Sequence, residues 1–238
     1  IARTPVHAFL TLLFDVLLSM RDGRCGAKEY ARFMLHPYVK NIRGVSDGET
    51  ARMLCHAIED ALITSGADTV STAALELDEV MLSRAARLHH GGGSDVDADG
   101  LRALLSEIHD QTIRSLEHVA TLSEFSYAII RVLEYIGNRS TARLHRDFRP
   151  FAEQIMDAMW RMAHSDAAVL ALNGLEDCIT IYQHTIAGMV FHFPGTPVGG
   201  LQVLGLSETR ALRFRRVFIL DAQDDVLIAR LISAARHV

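Results

Sequence analysis

Apolar side chains recur along most of this chain at the spacing of an α-helix. Positions i, i+3, i+4 and i+7 lie on one helical face, so this recurrence predicts amphipathic helices that bury that face. The first stripe falls within residues 5–21 and consists of Val6, Phe9, Leu10, Leu13, Leu17 and Met20. Similar stripes predict helices over about residues 27–35, 46–62, 71–88, 98–120, 123–136, 145–163 and 166–190, with breaks at Gly137 and at Asn173-Gly174. The first 190 residues are therefore predicted to be helical.

The pattern changes near the end of the chain. Residues 193–200 are rich in proline and glycine, which indicates a linker. Two short aliphatic runs follow, at residues 201–204 and 217–220, and a polar segment at 205–213 separates them. Short apolar runs bounded by glycine and charge are typical of buried β-strands. We therefore expect a small α/β element at the end of a mainly α protein.

The composition is that of an ordinary globular protein: of 238 residues, 49% are hydrophobic and 22% are charged. The net charge of −5 argues against a surface that binds nucleic acid over its whole extent, but it permits a local basic patch. No apolar run approaches the roughly 20 residues of a membrane span, so we expect a cytoplasmic protein with no membrane partner. The chain begins at Ile1 instead of methionine, which suggests a piece of a longer protein.

The segment LQVLGLSETRALRF, which starts at Leu201, resembles motif V of superfamily 1 helicases of the UvrD and RecB type. The general pattern of that motif is T-x-H-x-x-K-G-L-E-F, followed by a buried strand. Aligned in order with the Thr, His, Lys, Gly, Glu and Phe of the pattern are Gly205, Ser207, Arg210, Ala211, Arg213 and Phe214. In active helicases of this type the Glu contacts the nucleotide sugar. Arg213 has only donors and cannot accept a hydrogen bond from a ribose hydroxyl, so the resemblance is to an inactivated helicase.

The amino-acid sequence of the segment is similar to that of the degenerate helicase subunit of AddAB-type helicase–nucleases. It keeps the Glu208-Thr209-Arg210 of that version, but it has Asp221 and Ile228 where the family usually has Gly and Pro. The resemblance implies a helical insertion subdomain (43–195) flanked by a small α/β part of a RecA-like helicase domain (1–42 and 196–238). It then requires the two flanks to meet.

A packing argument supports the same arrangement. An isolated strand pair is marginally stable, so helix 5–21 is expected to cover one face of it and to bring Phe9 and Phe218 into one core. The segment His36-Pro37-Tyr38-Val39 is similar to the point at which the family's chain leaves the RecA-like domain, although this match is short.

The resemblance also implies which residues meet nucleic acid. These are Ser207, Thr209, Arg210, Arg213 and Arg215, while Gly205, Leu212 and Phe214 have structural roles. A dense arginine cluster can instead be a set of solvated charges beside a buried strand, and this alternative stays open. The expected partners are the remainder of the parent chain, an AddA-like subunit and DNA. The fragment itself is expected to hold no cofactor, whereas the parent involves ATP and magnesium.

Other candidate chemistry is weak. Asp95, Asp97 and Asp99 open like an EF-hand loop, but Ser106 stands where the bidentate glutamate belongs, so an acidic helix cap is the favoured interpretation. There is no G-x-x-x-x-G-K-[ST] phosphate loop and no G-x-S-x-G nucleophile motif. Cys25, Cys55 and Cys178 are far apart, so we expect reduced, partly buried thiols without a zinc site.

The ring side chains are expected to be structural. None of the 12 histidines forms a helical i, i+4 pair of the zinc-site type, so surface or half-buried positions are predicted for them. Trp160, Phe125, Tyr127 and Tyr135 fall at helical spacing and are predicted to lie in the core.

These observations favour a non-catalytic fragment of an AddB-like subunit that acts in DNA end processing and double-strand-break repair. The alternative, from a different class, is a freestanding helical protein-interaction domain that is unrelated to DNA. An active helicase is disfavoured by Arg213 at the Glu position of motif V.

Overall fold

The computed structural model describes residues 4–43, 49–89, 97–169, 172, 174–190 and 216–218. The chain divides into two compact units, Ile1–Phe191 and His192–Val238. The described part of the first unit is mainly α-helical, as predicted, and we call it the helical unit. None of the helices in these ranges combines the length and the apolar composition that crossing a bilayer requires.

Eleven α-helices lie within the described residues. They are α1 (Pro5–Leu18), α2 (Ala27–Met34), α3 (Pro37–Lys40), α4 (Glu49–Ser65), α5 (Thr72–Glu76), α6 (Glu79–His89), α7 (Ala98–His109), α8 (Ser115–Glu117), α9 (Leu122–Arg139), α10 (Phe148–Ala163) and α11 (Leu175–Ala187). A two-residue antiparallel pair joins β1 (Cys25–Gly26) to β2 (Thr69–Val70), with Cys25 opposite Val70. This small ladder ties the turn before α2 to the segment after α4.

Helix α1 begins where the sequence predicts. The Thr4 hydroxyl accepts a hydrogen bond from the His7 backbone N–H at 3.3 Å, and Pro5 occupies the first helical turn, where its missing N–H costs nothing. The predicted apolar stripe is buried: Val6, Phe9, Leu10 and Leu13 are fully inaccessible to solvent. Helix α1 packs against α2, α10, α11 and a π-helical segment described below. It is therefore a central helix of the helical unit.

The burial of α1 bears on the predicted domain boundaries. Backbone hydrogen bonds join the end of the first 43 residues to the end of α9: the Arg43 N–H donates to the Arg139 carbonyl at 2.6 Å, and Ile42 forms a β-bridge with Ser140. Compactness thus gives no boundary at residue 43, and the two units divide after Phe191. The apolar stripe of α1 is buried against other helices of the helical unit. Strands from the end of the chain are therefore not needed to bury it.

The predicted strand pair falls largely outside the described residues. Of its second strand, Val217 and Phe218 are described, and they have no regular secondary structure. Both side chains are exposed, Val217 to 64% and Phe218 to 79%. The expected burial of Phe218 in a core is therefore wrong.

The helix predicted over residues 71–88 is divided in two. Helix α5 ends at Glu76, and α6 begins at Glu79. The carboxylate of Asp78 accepts hydrogen bonds from the backbone N–H groups of Val80 and Met81, at 3.1 and 3.0 Å. Aspartate at this position satisfies the free N–H groups of a new helix, which explains why the chain breaks and starts again here.

Gly137 was predicted to break a helix, but it lies inside α9. A side chain at this position would bring a Cβ within 3.4 Å of the Phe148 ring, which is buried between α9 and α10. Helices α9 and α10 form the most extensive helix pair in the described residues. That distance is an ordinary van der Waals contact, so it is the packing of α9 along α10 that outweighs the low helix propensity of glycine.

The predicted helix 98–120 is also interrupted. Asp110–Arg114 forms a π-helical turn between α7 and α8. A π-turn inserts an extra residue into the helix and rotates the following side chains, and such turns are often found at functional sites. This one contains Arg114 and directly follows His109, and both residues take part in the buried network described below.

Candidate functional site

The predicted nucleic-acid-binding residues cannot be placed. All of the residues that motif V singled out lie outside the described ranges: Gly205, Ser207, Thr209, Arg210, Leu212, Arg213, Phe214 and Arg215. Their neighbour Arg216 is described and is exposed to solvent. Their contact with nucleic acid remains a prediction.

The acidic loop acts as a helix cap at its described end. One carboxylate oxygen of Asp97 accepts the Gly100 backbone N–H at 2.8 Å, and this starts α7. Asp95 lies outside the described residues. Among the residues that are described, no group of three or more His, Cys, Asp or Glu side chains is arranged to hold a metal ion. The cap interpretation is confirmed for Asp97.

The most connected polar group inside the helical unit is centred on His109. Its Nε2 atom lies 2.7 Å from the Tyr30 hydroxyl, and its Nδ1 atom lies 2.5 Å from Oε1 of Glu76. Arg114 donates to the same Glu76 oxygen at 2.6 Å and to Asp110 at 2.7 Å. His109 and Tyr30 are fully buried, and the Glu76 side chain is 14% exposed. We call Tyr30, His109, Glu76 and Arg114 the buried network.

Burial and charge determine the protonation of this network. Desolvation lowers the pKa of His109, so the imidazole is neutral. The hydrogen bond from His109 holds the pKa of Glu76 below its usual range, so the carboxylate is ionised and only accepts hydrogen bonds. The hydrogen of His109 therefore lies on Nδ1 and is donated to Glu76. The Nε2 atom then accepts the Tyr30 hydroxyl, because burial raises the pKa of Tyr30 and keeps it protonated.

The buried network corrects the expectation that the histidines are surface or half-buried. His109 continues the apolar stripe of α7 formed by Leu101, Leu105 and Ile108, so a polar ring was present on a buried face. That position was the available sequence signal. Its partners come from α2 and α5, 79 and 33 residues away, and no spacing rule identifies them. With its imidazole sealed from solvent, the network stabilises the packing of α2, α5 and α7.

The three cysteines are free and buried, in agreement with the sequence prediction of reduced thiols. Burial raises the pKa of Cys55 to about 12 and that of Cys25 to about 11. A thiolate is the reactive form of cysteine, so both side chains act as small apolar residues of the core.

His36 gives the helical unit a pH-sensitive cap. Its Nδ1 atom accepts the Tyr38 backbone N–H at 3.2 Å at the start of α3, and burial lowers its pKa to about 4. Protonation of Nδ1 would remove this acceptor. Because the folded-state pKa lies below the usual value, the contribution is complete above about pH 6.5 and is lost as the pH falls towards 4.

We expect the free energy of unfolding to decrease between about pH 6.5 and pH 4, and the decrease should be shallower in His36→Asn. Asparagine keeps a side-chain acceptor for the helix start but does not titrate. Urea unfolding at a series of pH values measures both slopes. Some slope should remain in the variant, since the pKa values of His7, His109 and Glu76 are also lowered. Equal slopes in the native chain and the variant would contradict the assignment to His36.

Two aromatic residues that were predicted to be buried lie at the surface. Phe125 and Tyr135 are in the core as expected, whereas Tyr127 is 40% exposed and Trp160 is 54% exposed. The α9–α10 pair brings Tyr127 and Trp160 to one surface with His164, which follows α10. The ring centroids of Trp160 and His164 are 4.1 Å apart, and those of Tyr127 and His164 are 6.2 Å apart. We call Tyr127, His164 and Trp160 the aromatic platform.

A surface cavity of about 290 Å³ adjoins the platform. It is lined by Arg114, Ser115, His118, Val119, Glu124, Tyr127 and Arg131. Its volume lies just below the range of roughly 300–1,000 Å³ that is typical of small-molecule sites. Tyr127 belongs to both the cavity and the platform and so joins the two features. This surface combines exposed rings with positive charge, and sequence spacing alone did not identify it.

Comparisons of this chain with protein-family models, with curated proteins and with solved structures find no match.

Proposed function

We propose that this chain is a non-catalytic part of an AddB-like helicase–nuclease subunit whose parent protein processes DNA ends during double-strand-break repair. The observation that carries the proposal is the run from Leu201 to Phe214, LQVLGLSETRALRF, with its Glu208-Thr209-Arg210. In this proposal residues 196–238 are the return of a RecA-like domain, and the chain works with DNA and with an AddA-like partner subunit.

The described helices support the helical half of this proposal. Residues 4–190 contain a mainly α-helical unit with one shared core, as an inserted helical subdomain would have. Helix α1 and the segment through Arg43 belong to this core. We therefore place α1 with the inserted helices, and the RecA-like part of the proposal rests on residues 196–238.

The chemistry of the sequence supports a non-catalytic role. Arg213 replaces the acceptor that contacts the nucleotide sugar in active helicases, and a guanidinium offers donors only. The chain also contains no phosphate-binding loop of the G-x-x-x-x-G-K-[ST] type. The histidine of the buried network, His109, is sealed from solvent and from substrates.

A freestanding helical protein-interaction domain is the second candidate. The observation that favours it is the completeness of the helical unit: its helices bury their apolar faces against one another. This candidate requires no RecA-like domain. Contact with DNA distinguishes the two candidates.

We expect the full chain to bind a blunt DNA hairpin, and we expect simultaneous substitution of Arg210, Arg213 and Arg215 by alanine to weaken that binding. Each lost phosphate contact should reduce the magnitude of the slope of log affinity against log salt concentration by about 0.9. The loss of three contacts should therefore reduce it by roughly 3. Fluorescence anisotropy with a labelled hairpin at several salt concentrations measures the change.

A charge-matched control is the simultaneous substitution of Arg32, Arg84 and Arg149, which are exposed and paired with carboxylates. This control should keep the native salt slope. Equal slopes for both triple variants would contradict DNA contact by the 210–215 segment. DNA-stimulated ATP hydrolysis that a point mutation abolishes would contradict the non-catalytic role.

A further inference from the structure

The aromatic platform and the adjoining cavity carry a separate inference, because their residues lie in the helical unit and do not include the arginine run at 210–215. We propose that this surface binds a short single-stranded nucleic-acid segment. Bases stack on the rings of Tyr127 and Trp160, and a backbone phosphate lies at Arg131.

Large aromatic rings are exposed on this surface, although the helical unit has a core that buries other aromatic rings. Trp160 is the single tryptophan of the chain and is 54% exposed, although it belongs to a helix whose opposite face is buried. His164 stacks near it and is fixed by a hydrogen-bond contact of 2.8 Å between its Nδ1 atom and the Trp160 carbonyl. Exposed aromatic faces on a rigid element are the means by which proteins stack unpaired bases without sequence preference.

Positive charge lies beside the exposed ring of Tyr127. Arg131 lies one helical turn after Tyr127 on the same exposed face of α9, and both line the cavity. Within the described residues, no carboxylate lies within the ion-pair distance of 4.0 Å of Arg131, so its guanidinium is available to a ligand. Arg114 and His118 line the same cavity. A phosphate beside an aromatic ring matches this combination.

Two of the carboxylates near this surface, those of Glu124 and Asp157, are already engaged. Glu124 lines the cavity, but its carboxylate accepts the backbone N–H groups of Ala120 and Thr121, at 2.8 and 3.1 Å, in the capping box of α9. Asp157 on α10 is paired with Arg161. Arg114 shares its charge with Glu76 and Asp110, which leaves Arg131 as the principal phosphate group of the cavity.

A protein partner is a less suitable occupant. Tyrosine, tryptophan and arginine are enriched at protein–protein interfaces too, but the central part of such an interface is otherwise depleted in charge and excludes water around its aromatic anchors. Here Arg131 and Glu134 follow Tyr127 by one and two turns of α9, and Asp157 and Arg161 lie one turn before and one residue after Trp160 on α10; all four are exposed. Exposed rings beside Arg131, which has no ion pair among the described residues, suit unstacked bases and a phosphate better than an apolar protein surface.

Because Trp160 is the single tryptophan, its emission reports directly on the platform. Titration of the full chain with a twelve-residue oligothymidine should quench this emission as a base stacks on the indole. A parallel titration with oligouridine of the same length determines whether the strand is DNA or RNA. A blunt DNA hairpin, which offers few unstacked bases, and heparin, which offers charge without bases, should leave the emission largely unchanged.

Two variants test the assigned roles. Tyr127→Ala should weaken oligonucleotide binding roughly 5- to 150-fold, since base stacking on one ring is worth about that factor, whereas Tyr127→Phe keeps the ring and should bind normally. Arg131→Gln should lower the slope of log affinity against log salt by about 0.7, the value for one contact on a single strand. The matched control Arg149→Gln, an exposed arginine near the start of α10, should keep the native slope.

The outcomes separate this proposal from the proposed function. Equal quenching of the Trp160 emission by the oligonucleotides and by heparin would overturn stacking on the platform. Equal affinity of the native chain and Tyr127→Ala for the oligonucleotides would overturn it too. Absence of quenching by either oligonucleotide would also overturn it and would favour a protein partner at this surface, even if the hairpin still binds through residues 210–215. Loss of hairpin binding alone would instead refute the proposed function and leave the platform standing.

Discussion

Replacing Phe9 with alanine should lower the free energy of unfolding by about 3–5 kcal/mol. The ring is fully buried and lies against Phe33 and Tyr38, with centroid distances of 5.9 and 6.0 Å. Its removal leaves a cavity where α1, α2 and α3 meet, and the close packing of that core limits collapse around it. Urea denaturation followed by circular dichroism measures the change.

Val80→Ala is a suitable control, because Val80 is 78% exposed on α6 and its truncation should change stability by less than about 0.5 kcal/mol. Phe33→Ala should combine with Phe9→Ala non-additively, since the two rings share one cavity. A loss of less than about 1 kcal/mol for Phe9→Ala would show that α1 is not a central helix. Phe218→Ala is expected to have a small effect because of the exposure of that side chain.

The second large effect is expected at the buried network. Glu76→Ala should cost about 2–4 kcal/mol, because it leaves the Nδ1–H of His109 without an acceptor in the core and removes a carboxylate from Arg114. Glu76→Gln should cost less, since the amide oxygen still accepts one hydrogen bond. Equilibrium unfolding at pH 7 measures both variants, because His109 is neutral there.

Glu153→Ala is the matched control for this prediction. Glu153 forms an exposed i, i+4 pair with Arg149 on α10, and such pairs contribute only about 0.3–0.5 kcal/mol. If Glu76→Ala lowered the free energy of unfolding as little as Glu153→Ala does, the buried network would not contribute to stability. A double variant of Glu76→Ala with Tyr30→Phe should be non-additive, because both residues act through His109.

The position of α1 changes what the family resemblance can mean. From the sequence, the first 42 residues were predicted to belong to a RecA-like domain, and the strands near residue 217 were predicted to pack on α1. In the structure the cover for α1 is available from α2, α10 and α11. The helical unit then includes α1, and the proposed insertion would extend beyond residues 43–195 to take in this helix. The resemblance at residues 201–214 does not depend on this placement.

Helix positions were predictable where an apolar stripe and a capping residue agree. Helix α1 follows its stripe from Pro5 to Leu18, and α9 starts at a Thr121–Glu124 capping box. The predictions failed where a single residue had two possible roles. Asp78 starts a new helix inside a continuous stripe, and Gly137 stays inside a helix because α9 packs along α10 over its length.

The sequence by itself determined the mainly α-helical class, the apolar faces of most helices and the reduced, buried cysteines, because these depend on periodicity and composition along one segment. The tertiary structure decided which helix faces meet, and thereby the two features that no local pattern contains. One is the pairing of His109 with Tyr30 and Glu76, and the other is the surface where Tyr127 and Trp160 are exposed beside Arg131. Both depend on contacts between residues far apart in the chain. Helical periodicity assigns a residue to a face of its own helix, but the neighbouring helices decide whether that face is covered.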